Sequence, residues 1–328
     1  MAKTFMGETS PSDRTGVYGT PPDGVVPVPD GAVQLSPLVP GAEALEEQPE
    51  GSLSGLVMLA PPGTVERRYG LALALRALAP GAPFTILAPK DRGGARLGTE
   101  LAGFGCTVDE TARRHHRICT GTRPPLALGI EAAMAAGAPR LLADLGLWSQ
   151  PGIFSWDRID PGTDLLMRTL PALKGRGADL GCGLGALARA VLDSPKVEHL
   201  TLVDIDRRAV ALARRNVPDP RATTHWADVR HIGPGAPGQE IKNLELKNLE
   251  LKNLDFVVMN PPFHEAGSED RGLGQAFIRR AAEFLRPGGT CWLTANRHLP
   301  YEGVLRSLFR TPALRAEAAG YKIYEARR

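Results

Sequence analysis

The sequence predicts an α/β chain: a Rossmann-like domain with a mostly parallel sheet and helices on both faces, preceded by a smaller α/β domain. Three observations carry this. Apolar strand-like runs alternate with helical stretches from Leu56 almost to the C-terminus. The stretch Ala178-Asp179-Leu180-Gly181-Cys182-Gly183-Leu184-Gly185 reads as a strand, a tight glycine turn and a helix start. Asp204, Asp228 and Asn260 then fall at the ends of successive strand-like runs, which places them with the glycine turn on one edge of one sheet.

Residues 1–50 are rich in Pro and Gly, end in an acidic run from Glu43 to Glu50, and read as an extended or loosely packed segment. In residues 51–150 a strand, Leu56 to Ala60, is broken by Pro61-Pro62-Gly63 and followed by a helix from Val65 to Leu78. A second strand, Phe84 to Ala88, a helix, Ala95 to Phe104, and a third strand, Cys106 to Val108, complete the pattern. The turn after Leu56–Ala60 lacks an acid and the glycine spacing, so this domain reads as one that kept the architecture without a cofactor site. Arg113-Arg114-His115-His116-Arg117 is the densest basic cluster, either a solvated strand or turn or a contact for nucleic-acid phosphates. Leu126 to Ala138 reads as a small-residue helix and Arg140 to Leu147 as a connector, with the domain boundary at Pro151-Gly152.

Residues 151–328 open with a helix from Thr163 to Leu170, started by Asp160-Pro161, in a stretch placed to fold over the glycine turn. Strands follow at Leu200–Val203, Thr223–Trp226, Phe256–Met259, Thr290–Thr294 and Tyr321–Ala326. Helices at Arg207–Asn216, Ala276–Leu285 and Tyr301–Leu308 separate them. Ile241 to Asp255 is three near-copies of one pentapeptide, too few for a solenoid, and reads as an expanded surface connection without a function of its own.

Composition narrows the classes. The 328 residues suit about two domains. No apolar run approaches a membrane span, and Met1 to Asp13 lacks the apolar core of a signal peptide. Cys106, Cys119, Cys182 and Cys291 match no metal or redox spacing, so no metal site and a reducing cytoplasmic setting are expected. The net charge of +3 is small but uneven: residues 1–150 carry −2 and residues 151–328 carry +5, a bias that permits RNA binding.

The glycine turn occurs in dinucleotide sites as well, but two details favour another ligand. Its third glycine comes one residue earlier than the pyrophosphate fingerprint requires. Asp179, two residues before the first glycine, would repel a pyrophosphate and attract a cation, and S-adenosylmethionine carries an ammonium and a sulfonium but no phosphate. Asp204 at the end of the next strand suits ribose hydroxyls, with Asp206 as the fallback, and Asp228 suits an adenine amino group. Asn260-Pro261-Pro262-Phe263 offers the Asn260 side-chain oxygen and the Pro261 carbonyl as two acceptors for the hydrogens of a planar amine, with Phe263 as a stacking face.

With Asn-Pro-Pro-aromatic as its fourth motif, the chain resembles class I S-adenosylmethionine-dependent amino-methyltransferases. His264, Asp160-Pro161-Gly162-Thr163 and Ala295-Asn296-Arg297-His298-Leu299-Pro300-Tyr301 make it most similar to the bacterial ribosomal RNA small-subunit guanine-N2 methyltransferase family. The resemblance is strong over residues 150–328 and fainter over the first half, which resembles that family's degenerate methyltransferase-like domain. It implies a class I methyltransferase fold with a sheet of about seven strands and S-adenosylmethionine as cofactor, bound by Asp179, Gly181, Gly183, Gly185, Asp204, Asp228 and Asn260. It implies Asn260, Pro261 and Phe263 as catalytic residues. Phe263, His264, Arg113, Arg114 and Arg117 are the candidate RNA contacts. The expected partner is ribosomal RNA or the small ribosomal subunit, met by a monomer. Adenine-N6 or protein-glutamine transfer, or a silent RNA-binding assembly factor, are the alternative readings.

Overall fold

The computed structural model describes residues 14–232, 249, 251–262, 264–265, 268–269 and 271–328. It forms two compact units, Met1–Ala138 and Pro139–Arg328. The division therefore falls ahead of the expected boundary at Pro151-Gly152. Residues 140–149 form a hairpin, β7 (Arg140–Leu142) and β8 (Leu147–Ser149), that belongs to the second unit rather than a plain connector.

The first unit contains β1 (Thr15–Tyr18), β2 (Val33–Gln34), β3 (Gly55–Leu59), α1 (Thr64–Ala77), β4 (Pro83–Pro89), α2 (Ala95–Gly103), β5 (Val108–Arg113), β6 (His116–Thr122) and α3 (Ile130–Gly137). Its sheet runs β2-β1-β3-β4-β6-β5. Residues 15–34 therefore supply two strands of this sheet, where a loosely packed segment was expected; β1 pairs in parallel with β3, Gly16 against Leu56 and Val17 against Val57. The close pairing needs Gly16, because a Cβ there would stand 2.7 Å from Leu35. The third expected strand begins where it was expected to end, at Val108, and turns back through Arg114 and His115 into β6.

The second unit continues with α4 (Pro161–Thr169), β9 (Gly175–Leu180), α5 (Ala186–Leu192), β10 (Val197–Asp204), α6 (Arg207–Asn216), β11 (Ala222–Trp226) and β12 (Leu254–Met259). After a short hairpin of β13 (His264–Glu265) and β14 (Ser268–Glu269) come α7 (Arg271–Phe284), β15 (Leu285–Asn296), α8 (Glu302–Leu308), β16 (Ala313–Ala318) and β17 (Tyr321–Arg327). The seven-stranded sheet runs β11-β10-β9-β12-β15-β17-β16, parallel from β11 to β15, with β17 antiparallel to both neighbours. This is the Rossmann-like methyltransferase fold. Side-chain alternation along β12 divides the core: Phe256 and Val258 pack with α5 residues such as Leu187 and Val191, whereas Val257 and Met259 pack with Ile278 and Ala281 of α7. The central strands are buried on both faces, as a parallel sheet covered by helices requires.

The two sheets match strand for strand. β2-β1-β3-β4-β6-β5 has the same sequence order and the same parallel and antiparallel senses as β10-β9-β12-β15-β17-β16. Even the last hairpins agree, with two left-handed residues in each turn: Arg114 and His115 (φ 44 and 62), and Ala319 and Gly320 (φ 50 and 83). The first strand of the small unit is thus β1, and Leu56–Ala60, expected to be the first, is the counterpart of β12. Ala60-Pro61-Pro62 stands in the place of Asn260-Pro261-Pro262.

Candidate active site

The glycine turn connects β9 to α5 with Gly181, Gly183 and Gly185 all at positive φ (76, 53 and 82). Two of them differ in what surrounds them. A Cβ at Gly185 would lie 2.7 Å from Val217, so this glycine lets α5 approach the end of α6. A Cβ at Gly183 would meet nothing within 4 Å, so this part of the turn is open to a ligand. The Gly183 N–H donates to Asp204 Oδ2 at 2.8 Å, and the Asp206 N–H donates to Asp204 Oδ1 at 2.9 Å. Asp204 is thereby held against the turn at the end of β10. Asp206 acts elsewhere, since its carboxylate caps α6 through the Arg208 N–H and forms a buried pair with the Arg208 guanidinium.

Asp179 is 1% exposed, and its Oδ2 has no hydrogen-bond partner among the described residues. Burial, reinforced by the charge of Asp204, pushes its carboxyl up to about 8. Burial likewise raises Asp204 to about 6, against the backbone hydrogen bonds from Asp206 and Gly183. Two acids desolvated side by side favour a cation between or beside them. Burial and the same two acids raise the Cys182 thiol well above its ordinary value, which keeps it protonated.

Asn260 ends β12, and its main-chain carbonyl lies 3.9 Å from the position of a Gly181 Cβ, so the two motifs adjoin. Its side-chain Nδ2 donates to Asp160 Oδ1 and to Thr163 Oγ1, both at 2.9 Å. Asp160 is also the cap of α4, accepting from the Thr163 N–H at 2.9 Å, with Pro161 at the first helical position. Asp179, Gly181, Gly183 and Asn260 line one cleft, together with Asp160 and Phe154. Phe154, 58% exposed, stands at this cleft ahead of Ser155, whose φ of 51 is left-handed.

Other expected site residues lie further from the cleft or are otherwise engaged. Gly185 lies at the start of α5, below the turn. Pro261 is buried and is not among the residues that line the cleft. Asp228 ends the segment after β11 and accepts from the Arg230 N–H at 2.9 Å; the Arg230 guanidinium at 2.8 Å and His231 at 3.1 Å flank it. Burial alone would raise its carboxyl, but these partners hold it below the usual range. Its carboxylate is engaged by Arg230 rather than lining the cleft. Phe263 lies outside the described residues, and His264 is described only as a β13 position paired with Glu269. Arg113, Arg114 and Arg117 belong to the first unit, at the β5–β6 turn. There Arg114 donates to the Asp23 carbonyl at 2.7 Å and Arg117 faces Glu110 at 3.4 Å. Among the described residues no group of three or more His, Cys, Asp or Glu is placed to hold a metal ion. The sequence marks Asp160 and Thr163 as a helix start near the glycine turn and as part of a family motif, but not as partners of Asn260, which is a hundred residues on.

Residues 144–325 match the family model of the methyltransferase small domain. A ribosomal RNA small subunit methyltransferase C from Pseudomonas aeruginosa strain LESB58 is 30% identical over 300 residues, 90% of this chain and 86% of that protein. A protein of the same name from Shewanella loihica is 28% identical over 287 residues, 84% of this chain and 78% of that one. A T. thermophilus 16S rRNA N2 methyltransferase, solved with AdoMet and guanosine, shares the fold at a TM-score of 0.73 and 22% identity, over 98% of this chain and 90% of its own. On the family match over the second unit and the similarity that runs through both units, the chain belongs to the methyltransferase small domain family and is a relative of the ribosomal RNA small subunit methyltransferase C proteins.

Proposed function

We propose that the chain transfers a methyl group from S-adenosylmethionine to the exocyclic N2 amine of a guanine in small-subunit ribosomal RNA. The observation that carries this reading is the setting of Asn260. Its amide NH2 is engaged by Asp160 and Thr163, which leaves the side-chain oxygen as an acceptor at the cleft that the glycine turn also lines. The names of the curated relatives supply the ribosomal RNA substrate, and the guanosine in the T. thermophilus structure agrees with a guanine target.

The cleft suits the cofactor by its own chemistry. The unpartnered Asp179 Oδ2 answers an ammonium, Asp204 at the strand end answers ribose hydroxyls, and the open face of Gly183 admits close approach. S-adenosylmethionine, when bound, supplies a methyl group on a sulfonium, already a good leaving group. The protein's part is alignment. A guanine amine is a weak nucleophile because its lone pair is delocalised into the ring. Asn260 Oδ1 and the Pro261 carbonyl each accept one N–H, fix the nitrogen and return electron density toward the methyl group. Phe263, and Phe154 at the cleft, offer aromatic faces for a base drawn out of its helix. Most of the rate then comes from positioning, without a strong general base: the nitrogen, cationic and far more acidic once methylated, gives its extra proton to water as the sulfonium becomes a neutral thioether.

In this reading the first unit holds no cofactor and grips structured RNA, with Arg113, Arg114 and Arg117 as its contacts, and the chain works as a cytoplasmic monomer. Mass spectrometry of ribosomal RNA nucleosides from cells lacking the gene tests the assignment. The loss of one N2-methylguanosine from 16S rRNA is expected. A lost N6-methyladenosine with all N2-methylguanosine intact would replace it with adenine transfer, and an RNA profile with no loss would favour the protein-glutamine or silent-factor reading.

A further inference from the structure

The first turn of α4 and the end of β12 form one hydrogen-bonded unit, though they lie far apart in sequence. A carboxylate only accepts hydrogen bonds, so the 2.9 Å contact with Asp160 fixes which end of the Asn260 amide faces α4: it is the NH2. Thr163 Oγ1 accepts the second amide hydrogen at 2.9 Å and itself sits 3.4 Å from Asp160 Oδ1. Both N–H groups of Asn260 are thus spent on α4, and the oxygen is the end left over.

Asp160 is itself steadied. Its Oδ1 takes the Thr163 N–H, and its Oδ2 faces the Tyr321 hydroxyl at 3.3 Å. Gly162 makes this approach of α4 to β17 possible, because a Cβ there would stand 2.5 Å from the Tyr321 ring and 2.8 Å from Thr294 Oγ1. Leu166, fully buried, anchors the next turn of α4 in the core. A helix cap alone requires none of this, since Ser, Thr or Asn would cap α4 as well as Asp. The Asn260 contact, the Tyr321 contact and the bare Gly162 are extra to capping, and all three converge on one carboxylate.

We propose that Asp160, with Thr163, is a positioning residue for methyl transfer: it clamps the Asn260 amide so that Oδ1, not the NH2, meets the target amine. This rests on the methyl-transfer reading. A free asparagine amide turned end for end would present donors to a donor, which opposes the bonds the amine needs. The clamp removes that orientation before substrate arrives, as preorganisation of a site requires.

A swap of the two side chains separates a clamp from a cap. Asn260→Asp alone sets two carboxylates where an amide and a carboxylate met. Asp160→Asn added to it restores one donor and one acceptor with the roles exchanged, and keeps a good cap. Single-turnover rates on ribosomal RNA at saturating cofactor are expected to rise about tenfold or more from Asn260→Asp to the double variant, as for recovery of one hydrogen bond to a charged group. The cofactor Kd should be alike in both. If Asp160→Asn changes the rate of Asn260→Asp by the same factor as it changes wild type, the two side chains are uncoupled and the clamp is wrong. A second readout needs no turnover: the side-chain amide NMR signal of Asn260 in the full chain. It should move on Thr163→Val, which keeps the Asp160 cap, and a signal unmoved by that change would overturn the proposal. Should wild type methylate no guanine at all, the functional reading fails while the amide signal still decides the clamp.

Discussion

At the scale of the residue, the proposed function assigns some groups of the cleft to the cofactor and Asn260 to the acceptor. In the proposed function Asn260 meets the target amine through Oδ1, so Asn260→Ala would remove that hydrogen bond while sparing the cofactor contacts of the glycine turn, although the family resemblance also implies Asn260 as a cofactor-binding residue. Calorimetry should find the S-adenosylmethionine Kd within about twofold of wild type, while the single-turnover rate falls on the order of a hundredfold. Asp179 gives a second prediction through pH. Burial first and Asp204 second raise its carboxyl to about 8, against an ordinary value of 3.8. In the folded chain it therefore keeps its proton over a range where the unfolded chain has lost it, and the raised value of Asp204 acts in the same sense. The cofactor-free protein is accordingly expected to lose thermal stability as pH rises from about 4 to about 8. Glu302, held down to about 2 by Lys322 and Tyr324 despite its burial, acts at more acid pH and in the opposite sense. Scanning calorimetry across that range should give a shallower decline for Asp179→Asn than for wild type; equal slopes would place the unfavourable charge elsewhere.

At the scale of the element, local signals were legible and paired ones were not. The glycine turn and the strand ends at Asp204 and Asn260 could be read because each motif lies within a few consecutive residues. Thr15–Tyr18 could not be read, since a four-residue strand in a Pro/Gly-rich stretch is made by its pairing with Gly55–Met58. Ala313–Ala318 is a similar case: its Ala, Leu, Arg and Glu favour helix, yet antiparallel pairing with β17 makes it a strand. The Asp160–Asn260 contact was hidden for the same reason, because no sequence spacing reports a bond between α4 and β12. The glycines offer a test at this scale. Gly185→Ala meets both a left-handed φ and the Val217 side chain, whereas Gly183→Ala meets only the φ. Thermal melts should show the first costing about 2–3 kcal/mol and the second about 1 kcal/mol. The second should still weaken cofactor binding, because its new methyl enters the open face of the turn.

At the scale of the whole molecule, one strand order is used twice and the site once. Where β12 leads into Asn260, β3 leads into Ala60, whose side chain has no acceptor to offer. The carbonyls that follow are occupied: Arg67 donates to Pro62 at 2.7 Å and Pro61 at 3.2 Å, and its guanidinium forms a buried, two-pronged pair with Glu100 at 2.6 and 2.7 Å. In the small unit the segment corresponding to Asn260-Pro261-Pro262 is thus engaged by a buried ion pair. One cofactor per chain is expected from calorimetry. Arg67→Ala, which leaves Glu100 buried and unpaired, should destabilise the first unit by about 3–5 kcal/mol in denaturant melts without creating a second binding event.

Methylation of the N2 amine of guanine in ribosomal RNA, as proposed, can be read directly from the product. The most direct measurement incubates the purified full chain with S-adenosylmethionine carrying an isotopic methyl label and unmodified ribosomal RNA or small subunits. Nucleoside mass spectrometry then locates the label. The label is expected in N2-methylguanosine at one site, with the yield lost in Asn260→Ala at saturating cofactor. Label in N6-methyladenosine, or none in RNA under conditions where the cofactor binds, would contradict it.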